Sequence, residues 1–247
     1  MIVLFTDFGW KGPYVGQMKA VLHEKAPGIP VIDLMHDVPS FDTVSASYLL
    51  ASLVKLFPQD TIFIAVVDPG VGHPERMPYM IQADGRWFIG PDNGLFNVVE
   101  KQANEVQRYE ILWQPEQLSS SFHGRDLFAP VAAMLSQWDM PENRILESRE
   151  VAAADDFYQV IYLDHYGNAM TGIQAETLSE QNKLVVEGEA LNYAETFSLV
   201  SKGQAFWYIN SNGLVEIAVN QGSAMAVSYT HLRAHETVLV ISYAVFC

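Results

Sequence analysis

The feature that most constrains the fold is the alternation of short β-rich runs with longer amphipathic segments through the first half of the chain. The runs are rich in Val, Ile and Phe and are bounded by turn residues, and the segments between them repeat apolar residues three and four positions apart. This alternation predicts βαβ units and therefore an α/β domain with a mostly parallel sheet. The predicted strands are residues 2–5, 29–34, 61–67, 79–83 and 86–90, and the predicted helices are residues 14–27, 43–57, 94–103 and 128–138.

The pattern changes in the second half. Residues 142–156 are charged and lack clear periodicity. Beyond them, short strand-like runs separated by Gly, Asn and Ser predict a small all-β domain. These runs are residues 159–164, 183–188, 205–210 and 214–220. We therefore predict an N-terminal α/β domain with a Rossmann-like sheet at residues 1–150, a C-terminal β-barrel domain at 157–227, and a tail at 228–247 that we interpret as non-native.

Composition narrows the range of partners. The 247 residues include 14 Lys and Arg against 29 Asp and Glu, a formal net charge of −15. This charge argues against a nucleic acid partner and against anchoring on an anionic membrane. No apolar run reaches the ~20 residues of a membrane span, and the strand-like start of the chain does not fit a signal peptide. Cys247 is the single cysteine, so an internal disulfide is not possible. We expect a cytoplasmic protein.

Four aspartates follow predicted strands: Asp7, Asp37, Asp68 and Asp92. In open α/β sheets, ligands bind at the carboxyl ends of the strands, so these residues are candidates for one site. An aspartate between a strand and a helix also serves often as an N-cap, worth about 1 kcal/mol. For Asp37 and Asp92, a cap or turn role and a site role both stay open at this point.

The loop after the third predicted strand gives Asp68 the strongest claim to a functional role. Pro-Gly-Val-Gly follows it and permits a tight, exposed turn, and Arg76 ends the same loop. His123 lies just before the last predicted helix. It could contact a ligand, or it could be a structural histidine of the loop, and both interpretations stay open. Its neighbours Arg125 and Asp126 are predicted to form an ion pair and a helix cap.

A second polar group follows the first strand of the β-rich half. Asp164, Tyr166 and Asn168 offer a carboxylate, an aromatic face and an amide within five residues. Together they could bind an ammonium group, stack on a base and bond to its polar edge. The same residues could instead build an Asx turn with Gly167. The spacing alone leaves both interpretations open.

Several motifs in order along the chain resemble the S-adenosylmethionine hydroxide adenosyltransferases. They are LFTDFG (4–9), PYVGQMK (13–19), HDVP (36–39), VDPGVG (67–72), GPDNGLF (90–96), SFHGRDLFAP (121–130), DHYGN (164–168) and NSNGLVEIAVNQGSA (210–224). The family hydrolyses S-adenosylmethionine to adenosine and methionine without a cofactor, and it is related to enzymes that make fluorinated and chlorinated adenosine. The resemblance implies an N-terminal α/β domain, a C-terminal β-barrel, and a homotrimer whose active sites lie between subunits.

The resemblance also implies roles for individual residues. Asp68, Arg76 and His123 match the family's catalytic set. Asp7 would hold the ribose hydroxyls, and Phe41 would lie against the ribose and sulfonium region. Asp164 would meet the methionine ammonium, Tyr166 would stack on adenine, Asn168 would bond to the adenine edge, and Ser211 would lie near the methionine carboxylate. The loop before Arg76 is one residue longer than in many family members, and Gly12 replaces a commonly acidic residue.

Two hypotheses from other classes follow from the same residues. In a metal-dependent phosphohydrolase, Asp7, Asp68 and His123 would bind a divalent cation. In a binding module, the chain would sequester S-adenosylmethionine without turning it over. The hydrolase predicts activity that a chelator leaves unchanged, whereas the phosphohydrolase predicts loss of activity.

Overall fold

The structure is a computed structural model that describes residues 1–73, 76–186, 188–226 and 239–240. The chain divides into two compact units, with the boundary between Ala153 and Ala154. None of the helices in the described residues is long and apolar enough to span a bilayer.

The first unit contains a seven-stranded sheet and four α-helices. The strands are β1 (Ile2–Thr6), β2 (Val31–Met35), β3 (Ile62–Val66), β4 (Pro78–Ala83), β5 (Arg86–Pro91), β6 (Val106–Ile111) and β7 (Asn143–Leu146). The helices are α1 (Tyr14–Lys25), α2 (Thr43–Val54), α3 (Asn97–Gln102) and α4 (Ala129–Ser136). A π-helical turn, Gly124–Phe128, precedes α4. Asp42 caps α2, because its Oδ1 accepts a hydrogen bond from the backbone N–H of Ser45 at 3.0 Å.

The order of the strands in this sheet is β2-β1-β3-β5-β4-β6-β7. The pairs β1–β2, β1–β3 and β3–β5 are parallel, whereas β4 is antiparallel to both β5 and β6, and β7 is antiparallel to β6. Five of the seven strands therefore run in the same direction, and the predicted mostly parallel sheet is confirmed. The prediction missed β6 and β7, and it did not foresee that β4 and β5 form an antiparallel hairpin.

The connection from β3 to β4 shapes the carboxyl edge of this sheet. Pro78 at the start of β4 pairs with Pro91 at the end of β5, so β4 begins at the edge where β3 and β5 end. Because β5 lies between β3 and β4, the connecting loop passes over the end of β5. Asp68 and Arg76 both lie in this loop. The order of the strands therefore brings the loop next to the turn that follows β5.

Both faces of the sheet are buried. On one face, Ile2, Leu4 and Ile64 join the buried residues of α1 and α4 in one core. On the other, the rings of Phe63 and Phe88 stack with centroids 5.0 Å apart. Residues two apart on a strand face the same side, so the near-continuous apolar runs of β1 and β3 suit a sheet that is covered on both faces.

The second unit contains two separate sheets. Strands β8 (Phe157–Leu163), β9 (Ala169–Gln174), β12 (Ala205–Ile209) and β13 (Leu214–Val219) form an antiparallel sheet in the order β12-β13-β9-β8. Strands β10 (Leu184–Val186), β11 (Glu189–Leu191) and β14 (Leu239–Val240) form a three-stranded sheet. The predicted β-rich composition is confirmed, and the closed barrel stays a prediction. Apart from β14, the predicted non-native tail from residue 228 lies outside the described residues.

Candidate active site

A cavity of about 460 Å³ lies in the first unit, where β1 and β3 end. Asp7, Phe41, Asp68 and His123 line it, and the rings of Phe8, Tyr14 and Phe122 form much of its apolar wall. Its volume lies within the range of small-molecule sites, roughly 300–1,000 Å³. The structure therefore brings together four of the nine residues that the sequence predicted for the site.

Asp7 follows β1 directly, and two contacts fix its position. Its backbone N–H donates to the carbonyl of Val66 at the end of β3 (3.3 Å), and its Oδ2 accepts a hydrogen bond from the backbone N–H of Phe41 (3.3 Å). Burial raises the pKa of the Asp7 carboxyl, and the nearby charge of Asp68 raises it further, while the Phe41 hydrogen bond opposes both. Phe41 has a left-handed backbone (φ 65°), and the residue is 71% exposed.

A buried network that the sequence analysis missed supports the end of β1. The His36 ring is fully buried, with Nδ1 2.8 Å from Thr6 Oγ1 and Nε2 3.1 Å from Asp33 Oδ1. Lys19 Nζ donates to Asp33 Oδ2 (2.8 Å). Thr6 immediately precedes Asp7, so the network holds the backbone that presents the carboxylate. His36 belongs to the HDVP motif, which was the available signal.

Asp68 is almost fully buried, with 4% of its side chain exposed. Its Oδ1 accepts a hydrogen bond from the backbone N–H of Gly70 (3.1 Å) and lies 3.4 Å from Arg76 Nε. Arg76 Nε has no well-aligned acceptor among the described residues, so this contact is a charge pair and not a hydrogen bond. Arg76 Nη1 donates to the backbone carbonyl of Asp92 (3.4 Å). Arg76, which ends the loop that begins at Asp68, thus lies beside the Asp68 carboxylate in the structure.

His123 lies at the start of the π-helical turn that leads into α4. π-Helical turns inside helices occur frequently at functional sites. A Cβ on the neighbouring Gly124 would lie 3.3 Å from Met18 Sδ and 3.4 Å from both Phe8 and Phe122. Glycine therefore lets the turn pack closely against the wall of the cavity, which His123 also lines.

The interpretation of Arg125 and Asp126 is half correct. The predicted ion pair is present, with Arg125 Nε 2.6 Å from Asp126 Oδ1, and this hydrogen bond holds the pKa of Asp126 below its ordinary value. The predicted helix cap is wrong, because Asp126 Oδ2 accepts from the backbone N–H of Ser119, outside the helix. Arg125 Nη1 also donates to Gln17 Oε1 (2.7 Å).

Asp92 does not take part in lining the cavity. Its carboxylate accepts hydrogen bonds from Arg149, with Nη2 3.1 Å from Oδ1 and Nη1 3.3 Å from Oδ2. The next residue, Asn93, forms the turn after β5: its Nδ2 donates to the carbonyl of Val67 (2.7 Å), and its Oδ1 accepts from the backbone N–H of Leu95 (3.2 Å). Of the alternatives left open for Asp92, a structural role is the one that these contacts support.

In the second unit, Asp164 forms the Asx turn that the sequence offered as an alternative. Its Oδ1 accepts from the backbone N–H groups of Tyr166 (2.9 Å) and Asn168 (2.8 Å), and its Oδ2 accepts from Asn168 Nδ2 (2.8 Å). The Tyr166 side chain is 78% exposed, and Asn168 is buried. Ser211 lies in the turn between β12 and β13, at the opposite end of β9 from Asp164. The structure therefore groups Asp164, Tyr166 and Asn168, and Ser211 stands apart from them.

Glu216 on β13 is a buried acid that the sequence analysis missed. It accepts hydrogen bonds from the hydroxyl of Tyr208 and from Asn210 Nδ2 (2.7 Å). Burial raises the pKa of its carboxyl, and the charge of Asp164 raises it further. An acid inside the apolar run LVEIAV was the available signal.

The phosphohydrolase hypothesis needs a group of metal ligands. Asp7, Asp68 and His123 line the same cavity. Within the described parts of the chain, however, no three His, Cys, Asp or Glu side chains form a group that could hold a metal ion.

Comparison with known families shows which family the chain belongs to. The family models for the N-terminal and C-terminal domains of SAM hydroxide adenosyltransferase match residues 2–144 and 158–238, respectively. The chain belongs to the SAM hydroxide adenosyltransferase family. The family motifs quoted above contain Asp7, Asp68 and His123, so these members of the cavity wall come from segments that carry the family resemblance.

Individual members of the SAM hydroxide adenosyltransferase family resemble the chain over most of its length. An (R)-S-adenosyl-L-methionine hydrolase of Thermus thermophilus is 35% identical, with 90% of this chain and 93% of the relative covered. A protein of the same name from Salinispora tropica is 33% identical, with 89% and 90% covered. The crystal structure of an uncharacterized conserved protein from Thermotoga maritima superposes with a TM-score of 0.78 at 31% identity, covering 92% of this chain and 95% of that one.

Proposed function

We propose that the protein hydrolyses S-adenosylmethionine (SAM) to adenosine and methionine. The observation that carries this proposal is the presence of two carboxylates, Asp7 and Asp68, in the wall of one cavity of about 460 Å³. Two anionic groups favour a cationic ligand, and the sulfonium of SAM is a cation. The hydrolases of Thermus and Salinispora named above support the choice of substrate.

The residues of the cavity suit displacement at the 5′ carbon of the ribose. A water oxygen forms the new bond to this carbon while the carbon–sulfur bond breaks. The electron pair of the broken bond passes to sulfur, and methionine leaves with a neutral thioether sulfur. Sulfonium is a good leaving group, so no acid is needed on that side. The water must lie in line at roughly 3–3.5 Å. Asp68 accepts a hydrogen bond from this water and takes its proton, which then passes to solvent.

Arg76 and His123 are proposed to orient Asp68 and the water. The Arg76 guanidinium lies beside Oδ1 of Asp68, with Nε 3.4 Å away, so its positive charge faces the carboxylate. Asp7 is proposed to bind the ribose hydroxyls, and Phe41 to cover the ribose and sulfonium region. The family is related to fluorinases. An anionic Asp68 next to the nucleophile would repel fluoride or chloride, so the carboxylate favours water over halide.

The second unit is proposed to supply the rest of the substrate contacts. Asp164 would meet the methionine ammonium, Tyr166 would stack on adenine, Asn168 would bond to the adenine edge, and Ser211 would lie near the methionine carboxylate. We further propose that the two sheets of this unit belong to a small β-barrel. The protein would act in the cytoplasm as a homotrimer with active sites between subunits, a state that sedimentation equilibrium tests directly.

The test is a product assay. The purified protein is incubated with SAM, and adenosine and methionine are followed by chromatography with an equilibrium binding measurement in parallel. Equal amounts of both products at catalytic turnover are expected. Binding without adenosine would make the protein a SAM-binding module, and neither binding nor turnover, with activity on a phosphate ester in the presence of a divalent cation, would favour the phosphohydrolase.

A further inference from the structure

The charged segment after β7 contains Arg149, which has no role in the proposed reaction but makes several polar contacts near the loop of Asp68 and Arg76. Arg149 lies in the stretch that the sequence analysis described as charged and without periodicity. Its side chain is 36% exposed, and its guanidinium donates to Asp92 through both Nη atoms. Paired hydrogen bonds of this kind fix the orientation of both partners. The side chain of Asp92 is therefore held on one side by a residue far away in sequence.

A buried cluster below Arg149 fixes the arginine in turn. Arg149 Nη2 lies 3.5 Å from Oε1 of Glu100, whose side chain is 2% exposed. Arg108 Nε lies 3.3 Å from Oε2 of the same carboxylate, and Arg108 Nη1 donates to the carbonyl of Glu147 (2.9 Å). The hydroxyl of Tyr79 donates to Glu100 Oε1 (2.9 Å). The segment from Glu147 to Arg149 is therefore held at two points, through the Glu147 carbonyl and through the Arg149 guanidinium.

The other side of Asp92 faces the loop of Asp68 and Arg76. The backbone N–H of Asp92 donates to the carbonyl of Met77 (3.1 Å), and its own carbonyl accepts from Arg76 Nη1 (3.4 Å). Arg76 in turn lies 3.4 Å from Asp68 through Nε. Asp92 thus accepts hydrogen bonds from Arg149 through its side chain and from Arg76 through its backbone carbonyl.

From these contacts we infer that Arg149 is a positioning residue for the reaction: it fixes Asp92, whose carbonyl holds the guanidinium of Arg76 against Asp68. This inference rests on the proposed function, in which Arg76 orients Asp68. The Asp92 carbonyl accepts a hydrogen bond from Arg76 Nη1, whereas Arg76 Nε lacks a well-aligned acceptor among the described residues. A small rotation of the turn after β5 would move the Asp92 carbonyl and release the guanidinium.

The test is a double-mutant cycle on the turnover number, kcat, with Arg149→Ala, Arg76→Ala and the double variant. Arg149→Ala should lower kcat about tenfold, since a displacement of about 1 Å at a reacting group can cost up to ~100-fold. In the Arg76→Ala background the same change should lower kcat less than about twofold, because the group that it positions is gone. The KM for SAM should stay within about twofold in both backgrounds.

Two further variants separate positioning from general stability. Arg144→Ala is the matched control, because Arg144 lies on β7, pairs with Glu110 and is 64% exposed, and it does not contact Asp92. It should leave kcat unchanged. Arg149→Lys keeps the charge but not the paired hydrogen bonds, so it should recover part of the loss. The fall in melting temperature on Arg149→Ala should be the same with and without Arg76, unlike the fall in kcat.

The outcomes distinguish the two proposals. Equal losses of kcat on Arg149→Ala in both backgrounds, or no loss in the wild-type background, overturn the positioning role and leave the proposed hydrolysis intact. Full turnover in Arg76→Ala removes the catalytic role of Arg76 and the positioning role with it. Where turnover of the alanine variant is too slow to measure, Arg76→Lys takes its place in the cycle.

Discussion

Arg76 Nε lies 3.4 Å from Oδ1 of Asp68, and the carboxylate that it faces is almost fully buried. The backbone N–H of Gly70 donates to the same oxygen, so the buried carboxylate has both a hydrogen-bond donor and a cationic neighbour at the carboxyl edge of the sheet. In the proposed reaction, this carboxylate accepts a proton from water. The same pairing makes the position of Arg76 as important as the presence of Asp68.

Asp68→Asn tests the role of the carboxylate. The variant should bind SAM within a few-fold of the wild-type affinity but lose about 10²–10⁴-fold in kcat, because a positioned general base contributes that much. Single-turnover kinetics and equilibrium binding measure the two effects. Asp60→Asn is the control. Asp60 is exposed and lies before the start of β3, whereas Asp68 lies after its end. Equal losses of binding and turnover would instead assign Asp68 to substrate binding.

Gly70→Ala tests how closely the loop packs on Arg76. A Cβ at this position would lie 2.5 Å from Arg76 Nη2, so the guanidinium must move. We expect kcat to fall about tenfold, the cost of a modest displacement. In Gly16→Ala, the control on α1, the added Cβ meets nothing within 4 Å, and the helix should gain about 0.5–1 kcal/mol. If Gly70→Ala keeps full kcat, the place of the guanidinium is not needed for turnover.

The raised pKa of Asp7 predicts a dependence of stability on pH. The folded state holds the proton more tightly than the unfolded state, so its contribution is present below the ordinary pKa of 3.8 and is lost as the pH rises through the higher folded value. At pH 7 the ionised Asp7 therefore lowers the free energy of unfolding. Asp7→Asn should melt at a higher temperature than the wild type at pH 7, and the difference should shrink near pH 4. A lower melting temperature at pH 7 would contradict this account.

Removal of metal separates the hydrolase from the phosphohydrolase. The proposed displacement uses a sulfonium leaving group and a carboxylate, so dialysis against a chelator should leave the rate of adenosine formation within experimental error. Readdition of Mg²⁺, Mn²⁺ or Zn²⁺ should have no effect. Loss of activity that one of these ions restores would show that Asp7, Asp68 and His123 serve a metal.

Glu216→Ala tests the buried acid of the second unit. The substitution leaves the Tyr208 hydroxyl and Asn210 Nδ2 without their acceptor. An unsatisfied buried group costs about 1–3 kcal/mol, and these two donors are part-buried, so urea unfolding should reveal a loss of about 1–2 kcal/mol. Glu189→Ala, at an exposed position on β11, should stay within about 0.5 kcal/mol of the wild type. Comparable effects of the two changes would rule out a structural role for the buried hydrogen bonds.

The sequence predicts those parts of the fold that a local pattern of residues specifies. The apolar run of β3 predicts a strand that is buried on both faces, and the Pro-Gly-Val-Gly that follows predicts an exposed turn, so the place of Asp68 could be foreseen. By contrast, β7 is a four-residue edge strand in which Arg144 and Ile145 are both exposed, and no alternation marks it. In β9, Gly172 interrupts the β-rich pattern because a Cβ there would lie 2.6 Å from that of Phe157.

Local sequence patterns do not predict contacts between residues that are distant in sequence. Arg149 and Asp92 are 57 residues apart, and nothing in either neighbourhood signals their pairing. Asp164 presents the opposite case, because its side chain finds partners within four residues. The sequence therefore offered the Asx turn as one of two alternatives, while the pairing of Arg149 could be seen only in the structure.

The passage of the β3–β4 loop over the end of β5 bears on how such a site can vary among homologues. Two strand spacings amount to only about 10 Å, whereas residues 67–77 could reach more than three times as far if extended. The loop is therefore longer than the span that it must cross, and one inserted residue before Arg76 can be accommodated without shifting the register of any strand. The length of the loop that carries Arg76 can thus vary among homologues, while Asp68 keeps its position just after β3.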